Sequence, residues 1–168
     1  MGKRSDFKRI ERDFYPTPQK AVEPLLRHLP PETRYDEPCA GAGDLIRHLD
    51  LAGHRCTASA DISNGQDALD TKSLVGDMFI TNPPWDRRLL HPIIETLSNL
   101  GPTWLLFDAD WMHTKQSSAL METCCKVVSI GRVKWFPDSP HTGKDNCCWY
   151  LFDSHNNNIH TEFYGRKT

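Results

Sequence analysis

The chain has 168 residues, 38% of them hydrophobic, and a formal net charge of -2. That length forms one compact domain with a core of its own, and the composition is that of a globular chain rather than a disordered or fibrous one. The charge gives no global attraction to nucleic acid, no run approaches the ~18 apolar residues of a membrane span, and the basic start Met1-Gly2-Lys3-Arg4-Ser5 lacks the apolar stretch of a secretory signal.

In chain order, Lys3, Arg4, Lys8, Arg9 and Arg12 crowd the first residues and read as a solvated tail, as do Arg166 and Lys167 at the other end. Ala21, Val22, Leu25, Leu26 and Leu29 then share one helical face, with Pro24 in the first turn and Pro30-Pro31 as the stop. A strand is predicted over Thr33 to Glu37, followed by the turn Gly41-Ala42-Gly43. Asp44 caps a helix that runs to Ala52, and a second strand spans Arg55 to Asp61. Met78-Phe79-Ile80-Thr81 reads as a buried strand, Pro92 to Asn99 as a helix, Trp104 to Phe107 as a strand and Gln116 to Cys125 as a helix. Val127 to Phe136 and Cys147 to Asp153 form a hairpin with a long connection.

Strands alternating with helices imply a mostly parallel α/β sheet with helices on both faces, here closed by an antiparallel hairpin. Nothing divides the chain, so residues 1–168 are expected to be a single domain, with 1–20 as an N-terminal arm. Six cysteines in a chain without a secretion signal point to free thiols in a reducing compartment. The pairs Cys124-Cys125 and Cys147-Cys148 lack metal-ligand spacing and read as structural. In a parallel sheet ligands bind beyond the carboxyl ends of the strands, and Gly41, Asp61, Asn82 and Asp108 each follow a predicted strand, so they gather on one rim.

The most specific element on that rim is Asn82-Pro83-Pro84-Trp85. Two prolines end the strand, because each lacks an amide donor and has a fixed φ. Beside them stand an amide side chain, bare carbonyls and an indole, which suit a planar substrate carrying an NH2 group. Upstream, Glu37-Pro38-Cys39-Ala40-Gly41-Ala42-Gly43 ends a strand and opens a helix. Ile46 stands where a dinucleotide fingerprint needs its third glycine, and no Gly-Lys-Ser/Thr follows, so neither a pyrophosphate nor a Walker loop is indicated.

These segments resemble those of class I S-adenosylmethionine-dependent methyltransferases. Asn82 to Trp85 is similar to the catalytic signature of enzymes that methylate exocyclic or side-chain amide nitrogens. Glu37 to Gly43 resembles the glycine-turn motif, and Phe14-Tyr15-Pro16-Thr17-Pro18 resembles the N-terminal motif of the adenine enzymes. The resemblance implies a Rossmann-like fold with a seven-stranded sheet and S-adenosyl-L-methionine as cofactor. It implies Tyr15, Thr17, Glu37, Pro38, Cys39, Gly41 and Gly43 around the methionine moiety, Asp61 on the ribose hydroxyls and Asp67 on the cofactor adenine. Asp36 competes with Glu37, and Asp70 with Asp67. Asn82, Pro83, Pro84 and Trp85 are the implied catalytic set: Asn82 Oδ1 and the Pro83 carbonyl accept from the amine, and Trp85 stacks on the base.

The order of motifs and the small size resemble compact phage- or prophage-type adenine methyltransferases, so DNA is the expected substrate, ahead of RNA. Protein glutamine N5 methylation and an inactive cofactor-binding subunit are the alternatives. The sheet consumes most of the chain, and a typical domain needs about 50 residues or more, so no separate target recognition domain fits and sequence specificity is expected to be low. Arg87, Arg88, Lys115, Lys134 and Lys144 are candidate phosphate contacts. No metal and no membrane partner is implied; a cytoplasmic monomer or homodimer is expected.

Overall fold

A computed structural model describes residues 15–136, 138, 142–157 and 160–167. Expectations placed on Phe14 and on Lys3, Arg4, Lys8, Arg9 and Arg12 lie outside the described residues. The elements are α1 (Gln19–Leu26), β1 (Arg34–Glu37), α2 (Asp44–Leu51), β2 (Arg55–Ser59), β3 (Met78–Thr81), α3 (Arg87–Ser98), β4 (Thr103–Asp108), α4 (Ser118–Met121), β5 (Cys124–Arg132), β6 (Asn146–Phe152) and β7 (Glu162–Tyr164), joined in places by short 3-10 turns. The strands form one seven-stranded sheet in the order β2-β1-β3-β4-β6-β5-β7. β2, β1, β3 and β4 are mutually parallel, β6 runs antiparallel between β4 and β5, and β7 lies parallel to β5.

The period of two along each strand distributes the core to both faces. Trp104 and Leu106 join Tyr35, Ile80 and Trp149 beneath α1 and α2, which contribute Ala21, Val22, Leu25, Leu45 and Leu49. Leu105 and Phe107 join Phe79, Tyr150 and Phe152 on the opposite face, beneath Leu90, Ile93, Ile94 and Leu97 of α3. Cys147 falls in the first cluster and Cys148 in the second, and all six cysteines are free thiols. Among the described residues no helix is long and apolar enough to cross a membrane.

Strand order reverses between β1 and β3. The chain leaves β1 through α2 to β2 on one side, then crosses back to β3 on the other. Asp36 fixes the returning segment: its carboxylate accepts from Val75 N at 2.7 Å, Gly76 N at 3.1 Å and Thr57 Oγ1 at 2.6 Å. Gly76 must be glycine for close approach, because a β-carbon there would lie 2.7 Å from the Arg34 carbonyl oxygen.

Several boundaries differ from the sequence reading. α1 begins at Gln19, so Pro24 is interior; the missing amide strands only the carbonyl of exposed Lys20. α3 begins at Arg87 rather than Pro92, since Asp86 Oδ1 accepts from Arg88 N at 3.0 Å and caps it. Gly43, not Asp44, is the cap of α2; Asp44 is its first residue and ion-pairs with Arg47. β2 stops at Ser59, two residues before Asp61. The expected helix Gln116 to Cys125 shrinks to a 3-10 turn and four residues of α4, because Cys124 begins β5 by pairing with Phe152. β5 ends near Gly131, whose φ of 76° breaks the strand geometry, and β7 had no period-two signal long enough to be read.

Candidate active site

The carboxyl ends of β1 and β3 open into a cavity of about 840 Å³. Tyr15, Pro16, Thr17, Glu37, Pro38, Cys39, Gly41, Asp61, Asp67, Asn82 and Pro84 all line it; of the four strand-end residues expected on one rim, Gly41, Asp61 and Asn82 meet here and Asp108 does not. Gly43, Pro83 and Trp85 do not line it. The glycine turn works through its backbone: Gly41 and Gly43 have φ of 54° and 82°, conformations that side chains with a β-carbon rarely adopt.

Glu37 is the buried floor of the cavity, 1% exposed, with Oε1 accepting from Cys39 N at 3.0 Å. Burial pushes its carboxyl up to about 8, against the opposing Cys39 amide and the nearby Thr81 hydroxyl. That hydroxyl is itself fully buried and makes no hydrogen bond among the described residues. Desolvation likewise raises the Cys39 thiol far above its ordinary value, so it stays neutral and inert. Asp36, the competing acid, is committed to the Val75–Gly76 crossing and is absent from the cavity.

Asp61 Oδ2 accepts from Gly41 N at 2.8 Å and Oδ1 from Ser63 N at 2.8 Å, so this carboxylate staples the glycine turn to the segment after β2. Asp67 sits exposed on the rim, its Oδ1 accepting from Leu69 N at 2.9 Å; Asp70 does not line the cavity. Ile62, Leu69, Leu89 and Ile93 supply apolar wall that the sequence reading did not single out, because isolated aliphatic residues in and beside turns carry no motif.

At the other end, the Asn82 carboxamide is held at both its atoms. Nδ2 donates to Thr17 Oγ1 at 3.1 Å and to the Tyr15 carbonyl at 3.4 Å. Oδ1 accepts a long 3.4 Å bond from Trp85 Nε1, which makes its better bond, 3.1 Å, to the Leu106 carbonyl. Trp85 is therefore turned into the protein and braces β4, which is why it does not present a stacking face to the cavity as the sequence reading expected. Its ring meets Trp135 edge-on at 5.6 Å, and Tyr15 packs 5.9 Å from both Trp135 and Phe136. These last two rings stand just beyond β5 and were not read as site residues; only tertiary packing brings both to Tyr15 and Trp135 to Trp85. Of the candidate phosphate contacts, Arg87 donates to Gln116 Oε1 at 2.7 Å and Arg88 is paired with Asp86.

This seven-stranded, mostly parallel sheet has a Rossmann-like fold, and solved methyltransferases share it. Particular solved structures share it at low sequence identity. The 23S rRNA methyltransferase ErmE is 12% identical, with a TM-score of 0.55 over 84% of this chain and 70% of that one. A dimethyladenosine transferase from Plasmodium falciparum is 16% identical, with a TM-score of 0.53 over 82% of this chain. A type I restriction-modification methyltransferase subunit from Streptococcus thermophilus is 11% identical, with a TM-score of 0.53 over 89% of this chain. The chain spans 62% of the Plasmodium protein and 46% of the Streptococcus subunit. No protein-family model and no curated protein matches the sequence.

Proposed function

We propose that this chain methylates the exocyclic N6 amine of adenine in DNA, using S-adenosyl-L-methionine and with little sequence preference. The observation that carries the reading is the Asn82 carboxamide, clamped at the mouth of a cavity whose far floor is a buried, proton-retaining carboxyl. The cavity volume lies toward the upper end of the roughly 300–1,000 Å³ typical of small-molecule sites, enough for a cofactor and a planar base together. The donor set suits the cofactor: Glu37 would face its ammonium, the Gly41 turn its methionine chain, Asp61 its ribose and Asp67 its adenine. When bound, the cofactor supplies an electrophilic methyl group on a sulfonium sulfur.

The chain's own residues deal with the nucleophile. The lone pair of an adenine amine is delocalised into the ring. A hydrogen bond accepted from one of its protons by Asn82 Oδ1 returns density to nitrogen. Oriented dipoles in a dry site contribute more than the roughly 0.5–1.5 kcal/mol of an ordinary hydrogen bond. Thr17 and the Tyr15 carbonyl fix which end of the amide faces the substrate, because they take up Nδ2 and leave Oδ1 as the acceptor. Tyr15, Trp135 and Phe136 offer aromatic wall for an extruded base, and extrusion costs a few kcal/mol, least for an unpaired base. The three solved neighbours are named as a 23S rRNA methyltransferase, a dimethyladenosine transferase and a restriction-modification methyltransferase subunit, which supports an adenine nitrogen more than a protein glutamine.

Tritiated cofactor offered with duplex DNA, single-stranded DNA, RNA and protein tests the reading. Label recovered as N6-methyladenine in DNA supports it; label confined to RNA or to protein glutamine refutes it. Asn82→Ala is expected to lose transfer by at least about a hundredfold while cofactor binding survives.

A further inference from the structure

A second charged feature lies away from the cavity, where α1, β5 and β7 meet. Tyr164 of β7 pairs with Val128 of β5 and carries the edge of the His28 ring at 4.4 Å, while Lys126 Nζ stands 6.0 Å over its face. Cations converge on this ring pair from three elements: Arg27 beside His28, Lys126 on β5, and Lys167 beyond β7. After burial, those three charges are what lower the proton affinity of His28. Arg166 folds back across β5, so close that a β-carbon on Gly131 would lie 2.9 Å from its Nη1. Among the described residues none of Arg27, Lys126, Arg166 and Lys167 has a carboxylate within ion-pairing distance. The nearby acids are Glu162, which accepts from the Tyr164 hydroxyl, and Glu23, one helical turn before Arg27.

The patch is continuous with the catalytic rim. β5 and β7 both run toward the edge on which Asn82 lies, and exposed Arg132 and Lys134 follow at the end of β5. From β3 to β7 the sheet order makes four steps, β4, β6, β5 and β7. At roughly 4.8 Å a step this is about 19 Å, or five to six nucleotides at about 3.4 Å each.

We infer that Arg27, Lys126, Arg166 and Lys167 form a docking surface for the phosphate backbone of a nucleic-acid strand whose target base occupies the Asn82 site. The inference rests on the proposed nucleic-acid substrate and adds where the rest of the strand lies. Uncompensated cations release counterions when they meet phosphates. Together they hold a strand with little sequence preference in a chain of net charge -2.

The test compares the full chain with the quadruple variant R27Q/K126Q/R166Q/K167Q. Binding to duplex DNA, single-stranded DNA and RNA of equal length is measured between about 50 and 200 mM salt. The variant is expected to bind at least about tenfold more weakly at the low-salt end, and the slope of log affinity against log salt should shrink by about two to four. Cofactor affinity and melting temperature report whether the fold is intact. A control, R34Q/R47Q/R55Q on the opposite edge, is expected to change neither affinity nor slope. Wild-type affinity should also fall when the strand extends fewer than about five nucleotides past the target. Unchanged affinity and slope in a folded quadruple variant that still methylates adenine overturn the docking surface alone. A wild-type chain that methylates protein and binds no nucleic acid overturns the substrate reading and the surface with it. Whichever of the three polymers shows the larger loss identifies the strand that docks.

Discussion

At the scale of single residues the site turns on two buried groups. Glu37 has its carboxyl raised to about 8 in the fold, well above the ordinary glutamate value near 4.5. Since the folded value is the higher one, its contribution to stability is fully present below about pH 4.5 and is lost as pH rises through 8. Glu37→Gln removes that loss, so the melting temperature of the variant relative to wild type should rise between pH 5 and pH 8. A constant gap would show that the carboxyl titrates normally. An ammonium at this floor favours the ionised carboxyl, so wild-type affinity for the cofactor should increase from pH 6 to pH 8, and Glu37→Gln should flatten the profile. Thr17 acts through Asn82. Thr17→Val keeps the shape but removes the acceptor for Nδ2, and turnover at saturating cofactor should fall about tenfold, as expected for a lost hydrogen bond of about 1.5 kcal/mol. Thr17→Ser should recover most of it. If Thr17→Val weakened only cofactor affinity, its role would be contact rather than orientation. Glu37 was legible in the sequence as an acid before a glycine turn, but its choice over Asp36 was not. Adjacent strand residues face opposite ways, and only the sheet says which face is the cavity.

At the scale of elements, the turn after β3 is tied to β4 by one indole. Trp85→Phe removes the donor to the Leu106 carbonyl and should lower stability by about 1–3 kcal/mol in urea unfolding. The cofactor end, which Trp85 does not touch, should keep its affinity. Gly76→Ala forces a β-carbon against the Arg34 carbonyl and should destabilise by about 1–3 kcal/mol in the same measurement, by separating the crossing segment from β1. β3 was readable because its apolar run ends at turn chemistry, and β1 because it lies between the Pro30-Pro31 stop and the glycine turn. The expected start at Pro92 lay inside α3, because Asp86 had already capped the helix at Arg87. The expected helix before β5 gave way because pairing with β6 satisfies the backbone of Cys124, and such pairing is invisible to local periodicity.

At the scale of the molecule, the described residues form a single sheet with helices on both faces, and its rim carries the site. Mixed-sequence DNA methylated by the chain should carry N6-methyladenine in many contexts, mapped by sequencing; confinement to one short palindrome would contradict this. The sequence by itself determined the alternation of strands and helices, the glycine turn and the Asn-Pro-Pro-Trp turn, because these are written in local periodicity and in residues with special backbone chemistry. Tertiary structure alone decided that Trp85 faces inward, that Asp61 staples the glycine turn, that Trp135 and Phe136 reach Tyr15, and that β7 gathers cations beside β5. Each of those depends on contacts between residues far apart in the chain, and pairing across a sheet edge leaves no mark on the neighbours of either residue.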